Sequence, residues 1–277
     1  MTALRYYGVC GTRPGTIASG GSTLHVSHLA VVMPAYNEAE GIASFVGEIA
    51  DSVSGMCDRL SVVVVDDCST DDMPRVLDDL ADADPRVMVE HRSPNRGHGP
   101  TALAAYRRGL ELEPDVIVHV DGDGQFHGAD IARVARALSS HDADVVHGIR
   151  RDRTDPWFRR ALTASVSVVV GFAVGRRVPD SNTPLRAYRP AVLEELVSSL
   201  PNDALVPHVH FSLAEVRRAY DVRYVAVRSL PRRGSDATGT MWGGAKSPKL
   251  PPKRLRQFAR RAAAELWRYS LRPGRGR

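Results

Sequence analysis

The sequence lacks an apolar run long enough to cross a membrane. Residues 161–175 form an uncharged apolar stretch between two pairs of arginines, but as a helix this stretch reaches only about 22 Å, against a hydrocarbon core of about 30 Å. It is therefore not expected to span a bilayer. Two alternatives stay open for it: a helix in the headgroup region that receives a lipid chain, or a buried helix that covers a sheet.

Cysteines are also scarce, and the N-terminus has no secretory signal. The three cysteines, Cys10, Cys57 and Cys68, are not spaced as metal ligands, which favours a reducing compartment and therefore the cytoplasm. Residues 1–27 are rich in Gly, Ser and Thr and hold no continuous apolar segment. They are predicted to be a flexible leader outside the fold.

Acidic residues are nearly absent from the C-terminus. Residues 246–277 contain eleven Lys and Arg residues and one acid, Glu265, so this tail carries a net charge of +10 and residues 1–245 about −5. Apolar side chains recur in the tail at helical spacing, which predicts a basic amphipathic helix: Leu255, Phe258, Ala262, Leu266 and Tyr269. We expect this tail to lie on an anionic membrane, as a peripheral contact at the inner face of the cell membrane, to dock on the protein body, or only to aid solubility.

Between leader and tail, residues 28–245 are predicted to form one α/β domain. Short β-branched runs alternate with helical patterns, a pattern typical of a mostly parallel central sheet with helices on both faces. The runs lie at 29–33, 60–66, 86–90, 115–120 and 144–148, and the helical patterns at 39–54, 72–82, 99–112 and 128–140. Ligands of such sheets bind at the carboxyl ends of the strands, so the residues that follow each run are candidate site residues.

Two carboxylates follow the fourth run. Asp121 and Asp123 alternate with Gly122 and Gly124, and turns at the glycines would let the carboxylates converge. Hard oxygen ligands of this kind suit Mg²⁺ or Mn²⁺, with Gln125 as an additional neutral oxygen. Taken alone, this pattern is also typical of a solvated acidic turn.

The other strand ends carry groups suited to a nucleotide. Asp66 and Asp67 can accept hydrogen bonds from ribose hydroxyls or a base N–H, and Tyr36 offers an aromatic face. Gly97 allows the backbone to approach a ligand closely. Ser69 has a second interpretation, since Asp72 follows it as in a capping box, which would make Ser69 the N-cap of a helix.

These motifs, in this order and spacing, resemble family 2 glycosyltransferases of the GT-A fold, a Rossmann-like α/β architecture. The resemblance runs from about residue 29 to 239 and is greatest to the polyprenol-phosphate branch, which includes dolichol-phosphate mannose synthases. Its motifs are Pro34-Ala35-Tyr36-Asn37-Glu38, Asp66-Asp67-Cys68-Ser69, Asn95-Arg96-Gly97-His98-Gly99 and Asp121-Gly122-Asp123-Gly124-Gln125.

The resemblance implies a role for each motif. The nucleotide sugar would contact Pro34, Ala35, Tyr36, Asn37, Glu38, Asp66, Asp67, Ser69, Gly97, Asp121 and Gly122. The metal would be held by Asp121, Asp123 and Gln125, and phosphates would contact Arg150, Arg186 and Arg232. Asp121, Asp123 and Arg186 would be the catalytic residues. Between residues 182 and 185 the chain reads Asn-Thr-Pro-Leu, whereas Thr-Ser-Gly-Phe is the commoner form in this branch.

The same resemblance implies inverting transfer of a sugar from a nucleoside diphosphate sugar to polyprenyl phosphate, with metal-assisted departure of the nucleoside diphosphate. A soluble hydroxyl acceptor, as in a natural-product or glycoconjugate pathway, is the alternative. A nucleotidyltransferase is less favoured, because the loop after the first strand is neither Gly-rich nor basic. Nucleic-acid binding would explain the basic tail but not the acidic strand ends, since carboxylates repel phosphate.

Overall fold

The protein is described by a computed structural model over residues 25–151, 171, 179–233 and 253–271. The strands are β1 (Val26–Ala35), β2 (Cys57–Asp66), β3 (Val87–His91), β4 (Val116–His119), β5 (Val145–Arg151), β6 (Arg186–Tyr188) and β7 (Val222–Arg228). The helices are α1 (Ile42–Val53), α2 (Met73–Ala83), α3 (His98–Leu110), α4 (Gly128–Ser140), α5 (Pro190–Ser198), α6 (Pro207–Arg217) and α7 (Lys253–Leu266), which continues into a π-helical turn, Trp267–Leu271.

The strands form one sheet in the order β3-β2-β1-β4-β6-β5-β7. All neighbouring pairs are parallel except those of β6, which runs antiparallel to both β4 and β5. The predicted α/β fold with a mostly parallel sheet is confirmed, and its five predicted strands correspond to β1 to β5. The sequence patterns did not reveal β6 and β7. The chain moves from β1 outward to β3 and then returns to the other side of β1 at β4, so the strand order reverses between β1 and β4.

Each face of the sheet is covered by its own set of helices, because alternate strand residues point to opposite sides. On one face, Leu29, Val31 and Met33 pack in a cluster with Phe45 of α1 and Ile131 of α4. On the other face, the intervening residues Ala30 and Val32 belong to a cluster with side chains of α3, α5 and α6. The sheet is therefore buried on both sides, which accounts for the nearly continuous apolar composition of β1 and β2.

Helix α4 lies across the half of the sheet that runs from β4 to β7. It packs against β4, β6, β5 and β7, and on its other side against α1. The three-residue strand β6 is the link between β4 and β5 in the ladder. Helix α4 therefore supports the sheet at β6, the short strand through which β4 and β5 are connected.

The tail helix α7 docks on the protein body. Ala262 and Leu266 are buried, and Leu266 packs with Val209 and Leu213 of α6. Both carboxylate oxygens of Glu265 accept hydrogen bonds from the backbone N–H of Leu205, each at 2.9 Å. Of the alternatives for the tail, docking on the body is the one that these contacts bear out.

Glu265 also pairs with a buried histidine. Its Oε1 lies 3.0 Å from Nε2 of His210. Burial alone would raise the pKa of the Glu265 carboxyl, but the hydrogen bonds from His210 and Leu205 hold it below its usual value. The only acid of the tail is thus used to hold α7 in place.

No helix in the described parts of the chain has both the length and the apolar character needed to cross a membrane. The apolar stretch 161–175 lies outside the described residues except for Gly171.

We expect Glu265→Ala to lower the free energy of unfolding by about 1–3 kcal/mol, since it removes a charged partner from the Leu205 N–H and from His210. Urea titration followed by circular dichroism measures the effect. The control is Glu111→Ala, which removes a carboxylate that is 58% exposed and should change stability by less than about 0.5 kcal/mol. Equal effects of both variants would contradict the docking role.

Candidate active site

A pocket of about 300 Å³ opens at the carboxyl ends of the strands, where the strand order reverses between β1 and β4. Backbone hydrogen bonds continue past the strands there: Gly122 N–H donates to Pro34 O at 3.1 Å and Asp67 N–H to Ala35 O at 3.0 Å. These bonds hold the three loops side by side. The pocket is lined by Pro34, Ala35, Tyr36, Glu38, Asp67, Asn95, Gly97, His98, Thr101, Asp121, Gly122, Asp123 and Arg232.

Asp67 fixes the loop that precedes α3. Its Oδ1 accepts the N–H of Arg96 at 2.8 Å and its Oδ2 accepts the N–H of Gly97 at 2.7 Å. Gly97 adopts a φ of +87°, a conformation that glycine reaches without steric cost. Asp67 therefore shapes the wall of the pocket as well as lining it.

The two carboxylates of the metal motif lie in this pocket. Burial, with a further contribution from the neighbouring Asp121 carboxylate, raises the pKa of Asp123 to about 6. Oδ1 of Asp121 is buried and has no hydrogen-bond partner among the described residues, although His98 Nε2 lies 3.6 Å away. The site thus concentrates negative charge that the described side chains only partly neutralise.

Arg232 is the cation that faces these acids. Its guanidinium pairs with Glu38, and its Nε lies 3.9 Å from Oδ2 of Asp123. Burial raises the pKa of Glu38 to about 8, against the opposing effect of Arg232. The Nε of Arg232 is buried without a hydrogen-bond partner among the described residues, so it retains a donor for a ligand.

The residues present fit a hard divalent cation. A buried carboxylate oxygen without a donor, next to a second carboxylate, is the kind of group that Mg²⁺ or Mn²⁺ coordinates. Within the described residues, no cluster of three or more His, Cys, Asp or Glu side chains is arranged as a metal site. Asp121 and Asp123 would therefore hold the ion by two protein ligands, leaving positions for phosphate oxygens and water.

Three predicted nucleotide contacts join the loops instead of lining the pocket. Asn37 Oδ1 accepts the N–H of Thr70 at 2.8 Å, and Ser69 Oγ accepts the N–H of Asn37 at 2.9 Å. Asp66 accepts the N–H of Ser69 at 3.0 Å and pairs with His91 at 2.9 Å. The capping-box interpretation of Ser69 is wrong, because α2 begins only at Met73 and its N-cap residue is Asp72.

Two predicted phosphate contacts also lie away from the pocket. The guanidinium of Arg150 forms a bidentate pair with Asp180, at 2.9 and 3.0 Å. Arg186 is fully buried and donates to the carbonyls of Thr183 at 2.9 Å and Ser181 at 2.8 Å. Neither arginine lines the pocket. The backbone N–H of Gln125 donates to Asp123 Oδ1 at 3.2 Å.

Arg186 belongs to a buried charged cluster on the other side of β6. Its Nη1 lies 3.4 Å from Oε1 of Glu215, and His147 Nε2 lies 3.0 Å from Oε2 of the same carboxylate. Burial would raise the pKa of Glu215, but His147 and Arg186 outweigh it and hold the pKa below its usual value. The cluster positions the turn before β6 from within the core.

Three pocket residues were missed by the site predictions from sequence: Asn95, His98 and Thr101. Asn95 and His98 belong to the motif from which only Gly97 was selected. Asn95 Nδ2 donates to the carbonyl of Asp67 at 2.7 Å, and His98 is the first residue of α3. Asn95 and His98 could have been selected from the sequence, because both are polar and lie within two residues of Gly97.

The comparisons with known proteins agree with this geometry. The sequence model described as Glycosyl transferase family 2 matches residues 30–197. The chain belongs to glycosyl transferase family 2. The resemblance predicted from the four motifs is thereby confirmed.

Relatives within family 2 carry names from its polyprenol-phosphate branch, which also confirms that part of the resemblance. A polyprenol monophosphomannose synthase of Mycolicibacterium smegmatis is 33% identical over 192 residues, 67% of this chain and 68% of that protein. An undecaprenyl-phosphate mannosyltransferase of Micrococcus luteus is 32% identical over 170 residues, 60% of this chain and 68% of that protein. An undecaprenyl-phosphate 4-deoxy-4-formamido-L-arabinose transferase of Edwardsiella ictaluri is 26% identical, and the match spans 71% of this chain and 59% of that protein.

Solved structures share the fold. A glucosyl-3-phosphoglycerate synthase from Mycobacterium tuberculosis, in complex with Mn²⁺, uridine diphosphate and phosphoglyceric acid, aligns with a TM-score of 0.62 at 21% identity, over 93% of this chain and 84% of that chain. A mannosyltransferase from Pyrobaculum calidifontis, in complex with GDP-mannose and Mn²⁺, aligns with a TM-score of 0.53 at 20% identity, over 76% of this chain and 58% of that chain.

We expect Arg186→Met to lower the free energy of unfolding by about 3–5 kcal/mol, because it leaves the buried Glu215 carboxylate without its arginine. Equilibrium unfolding in urea measures this loss. Arg136→Met, at an exposed position of α4, is the control and should stay within about 0.5 kcal/mol of the wild type. A variant of Arg186 that loses sugar transfer at unchanged stability would instead support the phosphate role.

Proposed function

We propose that this protein transfers a sugar from a nucleoside diphosphate sugar to polyprenyl phosphate, with inversion at the anomeric carbon. The proposal is carried by Asp121 Oδ1, which has no hydrogen-bond partner in the described part of the chain and lies with Asp123 and Arg232 in a pocket where the strand order of the sheet reverses. The names of the family 2 relatives support the lipid acceptor. Family membership alone supports sugar transfer but leaves the acceptor open, so the acceptor needs its own test.

The pocket offers a place for each part of the donor. Tyr36, with Pro34 and Asp67 beside it, would hold the nucleoside, since an aromatic face and a carboxylate match a base and a ribose. Asp121 and Asp123 would hold Mg²⁺ or Mn²⁺, which when bound neutralises charge on the departing diphosphate.

Arg232 completes the proposed diphosphate site. Its guanidinium lies between the carboxylates of Glu38 and Asp123, and a planar guanidinium matches the geometry of phosphate oxygens. Phosphate binding would draw Arg232 partly away from Glu38. Because burial raises the pKa of Glu38 to about 8, this carboxyl can stay neutral when its cation moves to the ligand.

The proposed reaction is a single displacement. An oxygen of the acceptor phosphate forms a bond to the anomeric carbon while the bond from that carbon to the diphosphate oxygen breaks, and the nucleoside diphosphate leaves with the electron pair. A phosphate oxygen is already ionised near neutral pH, so the step needs no strong general base. This fits a pocket whose acids are placed to hold a cation.

Labelled sugar from GDP-mannose or UDP-glucose should enter a chloroform-soluble product when protein, undecaprenyl phosphate and Mn²⁺ are mixed, and EDTA should prevent it. Asp123→Asn should reduce transfer by at least about 100-fold, because a metal contributes several kcal/mol of transition-state stabilisation. The variant should stay folded, since it removes a buried charge that lies beside Asp121. Scintillation counting of the organic phase and a thermal melt measure the two effects.

Two outcomes would contradict parts of this proposal. Wild-type transfer by Asp123→Asn would remove the metal role of the carboxylates. Transfer that occurs only to soluble hydroxyl compounds, with no label in the organic phase, would remove the lipid acceptor and favour a soluble one.

We further propose that the tail meets an anionic membrane through its basic side. Leu266 of α7 packs against Val209 and Leu213 of α6, whereas the basic side chains of the tail are exposed: Lys253, Arg254, Arg256, Arg260, Arg261 and Arg268. Trp267, which is 60% exposed, lies beside them, and tryptophan is favoured at the headgroup level of bilayers. The contact would be peripheral, driven by charge with one aromatic anchor.

The protein should sediment with vesicles that contain phosphatidylglycerol and be released by salt, while vesicles of phosphatidylcholine alone leave it in the supernatant. Arg260→Glu combined with Arg261→Glu should weaken binding by more than about 10-fold, because each basic residue near such a surface contributes roughly 1 kcal/mol. Arg136→Glu is the control for charge reversal on another exposed helix. Equal binding to both kinds of vesicle would refute the electrostatic contact.

A further inference from the structure

The loop that carries Asp121 and Asp123 is held by the backbone of residues 230–233. The backbone N–H of Arg233 donates to the carbonyl of Asp123 at 3.1 Å, and that of Leu230 donates to the carbonyl of Gln125 at 2.8 Å. Gly124, between them, adopts a φ of +67°, and a Cβ at this position would lie 2.6 Å from Cδ of Arg233. The side chain of Arg233 thus rests directly on the turn between Asp123 and Gln125.

Glu48 of α1 holds this arginine in place. Its Oε2 forms an ion pair with Nη2 of Arg233, and the guanidinium lies 5.1 Å from the centre of the Phe45 ring, one turn earlier on the same helix. The Glu48 side chain is 32% exposed. The ring beneath the guanidinium and the carboxylate beside it fix both the position and the plane of the arginine.

Glu48 also holds the far end of the same loop. Its Oε1 accepts the N–H of Gly128, the first residue of α4, at 2.7 Å, and His127 Nδ1 lies 3.7 Å from the same oxygen. The helices meet closely at this point, since a Cβ on Gly128 would lie 2.6 Å from the Glu48 carbonyl oxygen. The Glu48 carboxylate therefore contacts Gly128 directly, and it is linked to the turn at Gly124 by way of Arg233.

The electrostatics of Glu48 agree with this role. Burial alone would raise its pKa, but the hydrogen bonds from Arg233 and Gly128 hold it below the usual value. Since the charged form is favoured in the folded protein, both contacts persist at neutral pH.

We propose that Glu48 is a positioning residue for the loop that carries Asp121 and Asp123, and that it acts through Arg233 and Gly128. Its link to catalysis rests on the proposed function, because only a metal or diphosphate in the pocket makes the exact placement of these carboxylates matter. Small displacements of metal ligands are costly, and partners that orient ligands typically change metal affinity or activity by about 10- to 100-fold. An ion pair that only joined α1 to the 230–233 segment would affect stability and leave metal affinity unchanged.

The test uses Glu48→Gln, which keeps an oxygen for the Gly128 N–H but removes the charge that holds Arg233. Asp51→Asn is the matched control, since Asp51 is exposed on the same helix. Hydrogen exchange measured by mass spectrometry reports on peptides that cover residues 121–130, with no metal present. Electron paramagnetic resonance of free Mn²⁺, titrated in the presence of GDP or UDP, reports the affinity for the ion.

We expect Glu48→Gln to speed exchange in the 121–130 peptides and to weaken Mn²⁺ binding by about 10-fold or more, with Asp51→Asn like the wild type in both. In an Arg233→Gln background, Glu48→Gln should have no further effect, because the path through Arg233 is already lost. Unchanged exchange and unchanged Mn²⁺ affinity in Glu48→Gln would overturn the proposal. If Glu48→Gln speeds hydrogen exchange but the wild-type protein binds no Mn²⁺, Glu48 still positions the loop, and the proposed metal function is refuted.

Discussion

The carboxylates of Asp121 and Asp123 repel each other in a pocket where their side chains are only 25% and 15% exposed. The buried Oδ1 of Asp121 without a donor and the raised pKa of Asp123 are two signs of the same uncompensated charge. A site of this kind is stable because the surrounding backbone is held from several sides, by the ladder between β1 and β4 and by the segment at Arg233. The rest of the fold can be understood as the scaffold that keeps these two acids together at the carboxyl ends of the strands.

The arginines of this protein divide into two kinds that sequence alone does not separate. Arg232 faces the acids, and its Nε has no hydrogen-bond partner among the residues that the structure describes, whereas Arg186 donates to two backbone carbonyls and pairs with a buried glutamate. The family resemblance predicts a phosphate contact for both arginines. What distinguishes them is burial, since Arg186 is fully buried and its contacts among the described residues are with the chain that surrounds it.

Much of the fold follows from periodicity. β1 to β5 and the four helices between them were predicted because they are long enough to show a pattern, and α4 was predicted with its observed bounds of 128–140. β6 was missed because three residues, Arg186–Tyr188, are too few to show alternation, and β7, Val222–Arg228, was missed because its apolar and charged residues do not alternate regularly.

The candidate site was predictable where a residue lies just past the end of a strand, as Asp67 does after β2 and Asp121 two residues after β4, since parallel strands end at one edge of the sheet. It was not predictable for Asn37 and Ser69, whose short polar side chains can bind a ligand or a neighbouring loop equally well. Here Ser69 Oγ accepts the backbone N–H of Asn37, and the Asn37 side chain accepts the N–H of Thr70. Their identity specifies a polar contact but not its partner, which only the tertiary arrangement determines.

Helix α4 touches four strands on both sides of the short antiparallel strand, yet none of its residues lines the pocket. Its first residue is nevertheless bonded to the carboxylate that supports the motif loop. A chimaera that replaced β5 to β7 with the corresponding half of another enzyme should therefore keep this helix and its neighbour α1 as a unit. The junction of such a graft should therefore lie directly after α4 and not at β6, the shortest strand of the sheet.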